Sequence, residues 1–127
     1  MPHDALMAEM YRRKAAARGM GGPDKLAKRK KRNQLNAQER LDALIDQGSF
    51  IELGVLGAST IDADAADTPR DGKITGFAKI DGRDAGVVVN DFTTKGASTS
   101  ATNSRKMGYI RKVCTDRGMP FVHIGES

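Results

Sequence analysis

The stretch that most constrains this chain runs from Lys73 to Glu126. Its first part, KITGFAKI-DGRD-AGVVVNDFT, sets two apolar runs on either side of Asp81-Gly82. That pair tolerates the positive φ of a two-residue hairpin turn. The second run, Ala85 to Phe92, is continuously apolar rather than alternating, which predicts a strand covered on both faces. The loop TKGASTSATN follows, and then SRKMGYIRKVCTDRG, where Met107, Ile110 and Val113 recur at helical spacing. Gly118-Met119-Pro120 stops that helix, and PFVHIG reads as a buried return strand. A strand, a crossover helix and a second strand make a βαβ unit, whose ligand loops gather at the carboxyl ends of the strands. Here those loops are TTKGAS and the final GES.

The rest of the chain is set against this unit by its charge. Residues 1–40 hold eleven Lys and Arg against Asp4, Glu9, Asp24 and Glu39, whereas residues 41–127 are slightly acidic, within a net charge of +5. Such a basic half invites a nucleic-acid reading, a solvated helix face or an assembly surface. With 127 residues the chain is one domain at most, and 39% hydrophobic residues suffice for a core. Its single cysteine, Cys114, excludes an internal disulfide and sits on the apolar stripe of the helix as a small buried hydrophobe. No apolar run approaches the ~20 residues that span a bilayer. MPHDALMAEM lacks the pattern of a secretory signal, so a cytoplasmic setting without membrane contact is expected.

From the N-terminus, Asp4 is expected to cap a helix through Arg18, with Leu6, Met7, Met10 and Tyr11 on one side. Gly19 to Gly22 ends it, and Pro23 suits the first turn of the next, which carries KRKKR. Asn36 and Glu39 have capping-box spacing ahead of a short helix bearing Leu41, Leu44 and Ile45. Ser49 to Leu53 reads as a strand, and Leu56 to Asp71 as an exposed, mobile loop. Ser104 or Asn103 is the expected cap of the long helix, and His123 a satisfied core histidine.

These segments, in this order, resemble the carboxyltransferase (beta) subunits of biotin-dependent acyl-CoA carboxylases, of the propionyl-CoA, methylcrotonyl-CoA and acetyl-CoA type. The residues that carry the likeness are ERLDALIDQGSFIELG, DGKITGFAKIDGRDAGVVVNDFTTKGAS and RKMGYIRKVCTDRGMPFVHIGES. The family pattern runs from an ERI helix and a GSF strand through GDG, IDGR and DFT-x-x-GGS to a strand closed by (D/E)S and glycines. The resemblance implies an α/β chain: basic helices over residues 1–48, then at 49–127 the start of a crotonase-like (ββα superhelix) N-domain. It implies transfer of CO2 from carboxybiotin, carried on a partner domain, to the α-carbon of an acyl-CoA substrate. The implied partners are the remaining carboxyltransferase polypeptide and a biotin carboxylase or biotin carrier subunit, in a homo- or hetero-oligomer.

The resemblance also assigns sites. Lys95, Gly96, Ala97 and Ser98 stand where the family has its Gly-Gly-Ser turn, so their backbone would line the acyl-CoA pocket, with Lys95 near the phosphates. Without the resemblance they are a plain strand-to-helix loop. Lys106, chosen among Arg105, Lys106, Arg111 and Lys112, is the second cation assigned to CoA. Gly125, Glu126 and Ser127 precede the expected oxyanion hole, whose glycines lie past Ser127; no catalytic residue is expected within the chain, nor activity from it alone. Two histidines and one cysteine lack metal-ligand spacing. The alternatives are a non-catalytic scaffold of such a complex, or a nucleic-acid-binding protein, against which stands the lack of aromatics within KRKKR.

Overall fold

The structure is a computed structural model describing residues 1–127. Three helices come first: α1 (Asp4–Arg18), α2 (Pro23–Lys31) and α3 (Ala37–Leu44). Then follow β1 (Ile51–Glu52), β2 (Lys73–Ile80), β3 (Arg83–Asn90), α4 (Ala101–Arg117) and β4 (Phe121–Ile124). The strands form one sheet in the order β1-β2-β3-β4. The first three are antiparallel neighbours, and β4 lies parallel to β3. A parallel pair needs a long return, and α4 supplies it.

The continuous apolar character of β3 is explained by what covers it. Val87 and Val89 join Ile74, Ala78 and the fully buried Leu41 of α3 on one face, with Met20 and Ala37 closing that core. Val88 points to the other face, against Ile110 and Cys114 of α4. The central strand is therefore sandwiched between helices from opposite ends of the sequence, and burying a side chain such as Leu41 is worth about 2 kcal/mol. Gly86 lets α4 come this close: a Cβ there would lie 2.3 Å from the Cys114 sulfur.

The hairpin turn is as expected, with Asp81 and Gly82 at φ 50° and 78° and Ile80 opposite Arg83. Its two amides are held from outside the hairpin. Asp46 accepts from the Asp81 N–H at 2.9 Å and the Gly82 N–H at 2.8 Å. The Asn36–Glu39 capping box is present with both of its bonds.

Six expectations are corrected. Asp4 lies inside the first turn of α1, with His3 as N-cap. The cap of α4 is Ser100; Asn103 is the reciprocal N3 residue of its capping box, and Ser104 lies within the helix. The stretch from Leu56 to Asp71 is not a uniform exposed loop: it contains 3-10 turns at Asp62–Asp67 and Pro69–Gly72, and Thr68, Arg70 and Asp71 are buried. The strand expected over Ser49 to Leu53 is reduced to the two residues of β1. β4 is an edge strand, so it is half-buried and His123 is exposed, its Nε2 2.9 Å from the Asn90 amide oxygen. On α1 the expected apolar side is uncovered, with Leu6, Met7 and Tyr11 all exposed.

Candidate functional site

The loop that leaves β3 is built on one carboxylate. Asp91 is buried and accepts from the Thr93 N–H at 3.0 Å, the Thr93 hydroxyl and the Thr94 hydroxyl at 3.0 Å. The backbone then passes through three successive left-handed residues, Lys95 (φ 48°), Gly96 (60°) and Ala97 (57°). Ser98 closes the turn by donating its hydroxyl to the Lys95 carbonyl at 2.6 Å. Left-handed backbone costs a non-glycine residue roughly 1–2 kcal/mol. Ala97 carries that cost at the very position where the resemblance expects glycine.

The glycines after α1 dock on this loop. Gly21 donates its N–H to the Thr93 hydroxyl at 2.9 Å, and a Cβ at Gly21 would lie 2.2 Å from the Thr93 carbonyl oxygen. Lys25 of α2 donates to the same carbonyl at 3.2 Å. Between α1, Gly21-Gly22, the segment Val55–Ala58 and the turn that ends at Arg70 opens a cleft of about 890 Å³. Arg12, Arg13, Lys25, Arg70 and Lys95 line it against a single carboxylate, Asp67.

These cations differ in how far they are neutralised. Arg12 and Arg13 share Glu9, whose carboxyl they hold down at about 2. Lys95 meets Asp64 at 3.2 Å with both side chains substantially exposed, a pair of little strength. Arg70 is only 2% exposed and pairs with Glu52: Nη2 donates to Oε1 at 2.9 Å, and Nε stands 2.8 Å from Oε2 but off the hydrogen-bond line. Its Nη1 is buried without a partner. Set against Glu9, Glu52, Asp64 and Asp67, the five cations leave the cleft one positive charge in surplus.

Lys106 does not point outward from α4. Its ammonium donates to the carbonyls of Arg70 at 2.6 Å and Lys73 at 2.5 Å. Burial, the largest influence, lowers its pKa from 10.5 to about 8. Beside it Asp71 accepts from the Ser100 hydroxyl and the Asn103 N–H (2.9 Å), while the Asn103 side chain donates to the carbonyls of Asp71 and Ser98. One polar network therefore ties the Pro69–Gly72 turn, the Lys95–Ser98 turn and the start of α4. Arg105, Arg111 and Lys112 stay at the surface of α4.

At the end of β4 the sequence reading missed a contact. Glu126 receives both arms of Arg29, Nη1 to Oε1 at 2.9 Å and Nη2 to Oε2 at 3.0 Å, and Nη1 of Arg40 to Oε2 at 2.7 Å. Arg29 is thereby drawn out of the KRKKR run and away from solvent. The only signal in the sequence was the pairing of an ER motif with a terminal Glu-Ser, and nothing local linked the two.

Residues 28–127 match the family model described as the carboxyl transferase domain. The putative propionyl-CoA carboxylase beta chain of Bacillus subtilis is 32% identical over 121 residues, covering 95% of this chain and 24% of that protein. The propionyl-CoA carboxylase beta chain of Saccharopolyspora erythraea is 35% identical over 124 residues, 95% of this chain and 23% of that protein. The transcarboxylase 12S structure, a hexamer solved with methylmalonyl-CoA and methylmalonic acid bound, superposes with a TM-score of 0.88 at 27% identity, covering 98% of this chain and 25% of its own. The α/β architecture is therefore that of the carboxyltransferase beta subunits, and the chain spans about a quarter of the length of these relatives. This chain belongs to the carboxyl transferase domain family of the biotin-dependent acyl-CoA carboxylases.

Proposed function

We propose that this chain supplies the acyl-CoA-binding portion of a biotin-dependent carboxyltransferase, residues 1–48 forming its helical lead-in and 49–127 the start of its crotonase-like N-domain. The observation that carries the reading is the cationic cleft beside the Lys95–Ser98 turn, in a chain of this family. Coenzyme A brings three phosphate groups, and the cleft offers Arg12, Arg13, Lys25 and Lys95, beside the internally paired Arg70, with room on the scale of a cofactor-sized ligand. Lys95 faces the phosphates, and the backbone of Gly96, Ala97 and Ser98, left-handed at the first two, passes close to the thioester arm. Lys106 supports the wall through the Arg70 carbonyl, since reaching a phosphate would cost it two charge-assisted bonds.

By the family likeness, biotin would be carried on a partner domain, and carboxybiotin there would supply the CO2. Carboxybiotin, when bound, would supply the carboxyl group for the α-carbon, its ring nitrogen taking the α-proton in exchange. Paired backbone N–H groups stabilise the enolate oxygen that forms in between. This chain contributes the strand end, Gly125 to Ser127, from which those amides are reached. The partners are the remaining carboxyltransferase polypeptide and a biotin carboxylase or carrier subunit, in an oligomer within the cytoplasm. The uncovered apolar side of α1 favours assembly contacts as an added role.

Calorimetric titration with propionyl-CoA tests the reading. Binding is expected at low ionic strength, weakened about five-fold or more by Lys95→Ala through loss of one phosphate contact. A chain that ignores propionyl-CoA, acetyl-CoA and methylmalonyl-CoA alike while retaining duplex DNA or RNA overturns it.

A further inference from the structure

We infer that His123, backed by Lys73 and Arg111, forms a binding site for a small carboxylate on the α4 face of the sheet. None of these residues lines the cleft above, so the site goes beyond the acyl-CoA reading and does not depend on it. It begins with a charge that the fold leaves unmatched. Lys73 is only 3% exposed, and its charged neighbours are already engaged: Arg70 with Glu52, Lys106 with two carbonyls, Asp71 with Ser100 and Asn103. The Lys73 ammonium meets one neutral acceptor, the Asn90 Oδ1 at 2.8 Å, and no carboxylate pairs with it. A buried ammonium has three N–H groups to satisfy and is ordinarily paired with a counter-ion.

Asn90 carries that charge outward. Its Oδ1 also stands 2.9 Å from Nε2 of His123, while its amide nitrogen donates to the Glu126 carbonyl at 3.1 Å. The reverse amide orientation would set N–H groups against the ammonium, so the oxygen accepts twice and Nε2 bears a proton. Nδ1, on the other side of the ring, makes no hydrogen bond within the fold, and His123 is exposed. A second cation reaches the same patch. Arg111 of α4 lies over the Phe121 ring at 5.6 Å, and the His123 ring meets Phe121 edge-on at 6.4 Å.

The charged surroundings of the imidazole are one-sided. Lys73 acts on it from β2 and Arg111 from α4, while β3 offers the neutral Asn90. Glu126, beyond β4, has its carboxylate held by Arg29 and Arg40. Desolvation, followed by the repulsion of Lys73 and Arg111, holds the His123 pKa below the ordinary 6.5. An anion against Nδ1 reverses this, because it offsets both repulsions and accepts a hydrogen bond from the protonated ring. Binding therefore takes up a proton. It is strongest below the pKa of unliganded His123 and is lost as the pH rises through the higher pKa of the complex. An imidazolium N–H and a guanidinium fork suit a planar, singly charged carboxylate.

Nuclear magnetic resonance of the 127-residue chain tests this, because its two histidines report side by side and the exposed His3 is an internal control. Sodium acetate is titrated at about pH 5.5 against sodium chloride of equal ionic strength. The His123 ring signals should shift saturably with acetate while those of His3 do not, and the His123 pKa should rise by about half a unit or more. Lys73→Met should raise the ligand-free pKa of His123 and yet weaken acetate about ten-fold, a pairing that a merely structural change does not produce. Arg111 lies at the surface, so Arg111→Gln keeps the fold and decides the question if Lys73→Met does not fold. It should weaken acetate about three-fold and move the pKa in the same direction. Equal or unsaturable shifts at both histidines overturn the inference, as do variants with unchanged acetate affinity. Inorganic phosphate binding more tightly than acetate overturns the assignment to a carboxylate.

Discussion

Two turns of this molecule share a backbone and differ in everything else. Arg70, Asp71 and Gly72 run at φ 56°, 49° and 74°; Lys95, Gly96 and Ala97 run at 48°, 60° and 57°. They lie against each other, since a Cβ on Gly72 would come within 3.2 Å of the Thr94 carbonyl oxygen. In the first turn the strained residues are buried and every side chain is engaged: Arg70 with Glu52, Asp71 with Ser100 and Asn103. In the second, Lys95 keeps only an exposed pair with Asp64, and Ala97 offers a methyl group. Strain in the first turn is offset by side chains that require it. The second is held by its backbone and by the Asp91 network before it, and its outer surface remains open.

The first turn should be the one that breaks the fold. Replacing Arg70 by Met leaves Glu52 buried without a partner and should cost about 3–5 kcal/mol in urea unfolding. Adding Glu52→Met should return part of that loss, because an apolar pair is tolerated where a lone charge is not. A second variant, Asp71→Ala, strips the acceptor from Ser100 and Asn103 and should cost about 2–3 kcal/mol by the same measurement. Either result below about 1 kcal/mol would erase the distinction between the turns.

A third measurement sharpens it through Lys106, whose ammonium holds the Arg70 carbonyl. Its native pKa lies at about 8, below the ordinary 10.5, so between these values the unfolded chain holds more protons than the folded one. Stability should therefore rise with pH across that window, and the rise should vanish in Lys106→Met. A fall across the window in the wild type alone would contradict the buried placement of this ammonium. The smallest effect belongs to the second turn. Ala97→Gly should raise stability by up to about 1 kcal/mol, since the relief of left-handed strain outweighs the loss of one methyl group. A loss there would show that the Ala97 methyl group, itself buried, matters more than the φ it forces.

The contrast also explains what was readable in advance. Asp81-Gly82, the apolar run of β3, the Asn36–Glu39 box and the stop at Gly118 are local or periodic, and each appears where expected. So does Cys114, buried on its helix. Ordered motifs carried the family. Thr68 to Asp71 escaped because its burial comes from polar side chains that leave no hydrophobic period. Local sequence favours Ser104 or Asn103 as the cap, whereas Asp71, almost thirty residues upstream, selects Ser100. The inward aim of Lys106 and the Arg29–Glu126–Arg40 grip depend on contacts between distant segments, and identical residue types on a solvated face would have looked the same.

The hairpin turn deserves one last consequence. Its amides at Asp81 and Gly82 are received by a carboxylate that precedes them by 35 and 36 residues. During synthesis Asp46 has left the ribosome well before the turn is made, so the receptor waits for the donor rather than the reverse. The hairpin therefore registers on the helical lead-in as it emerges, and its tip amides, followed by NMR, would serve as a stopwatch for that docking.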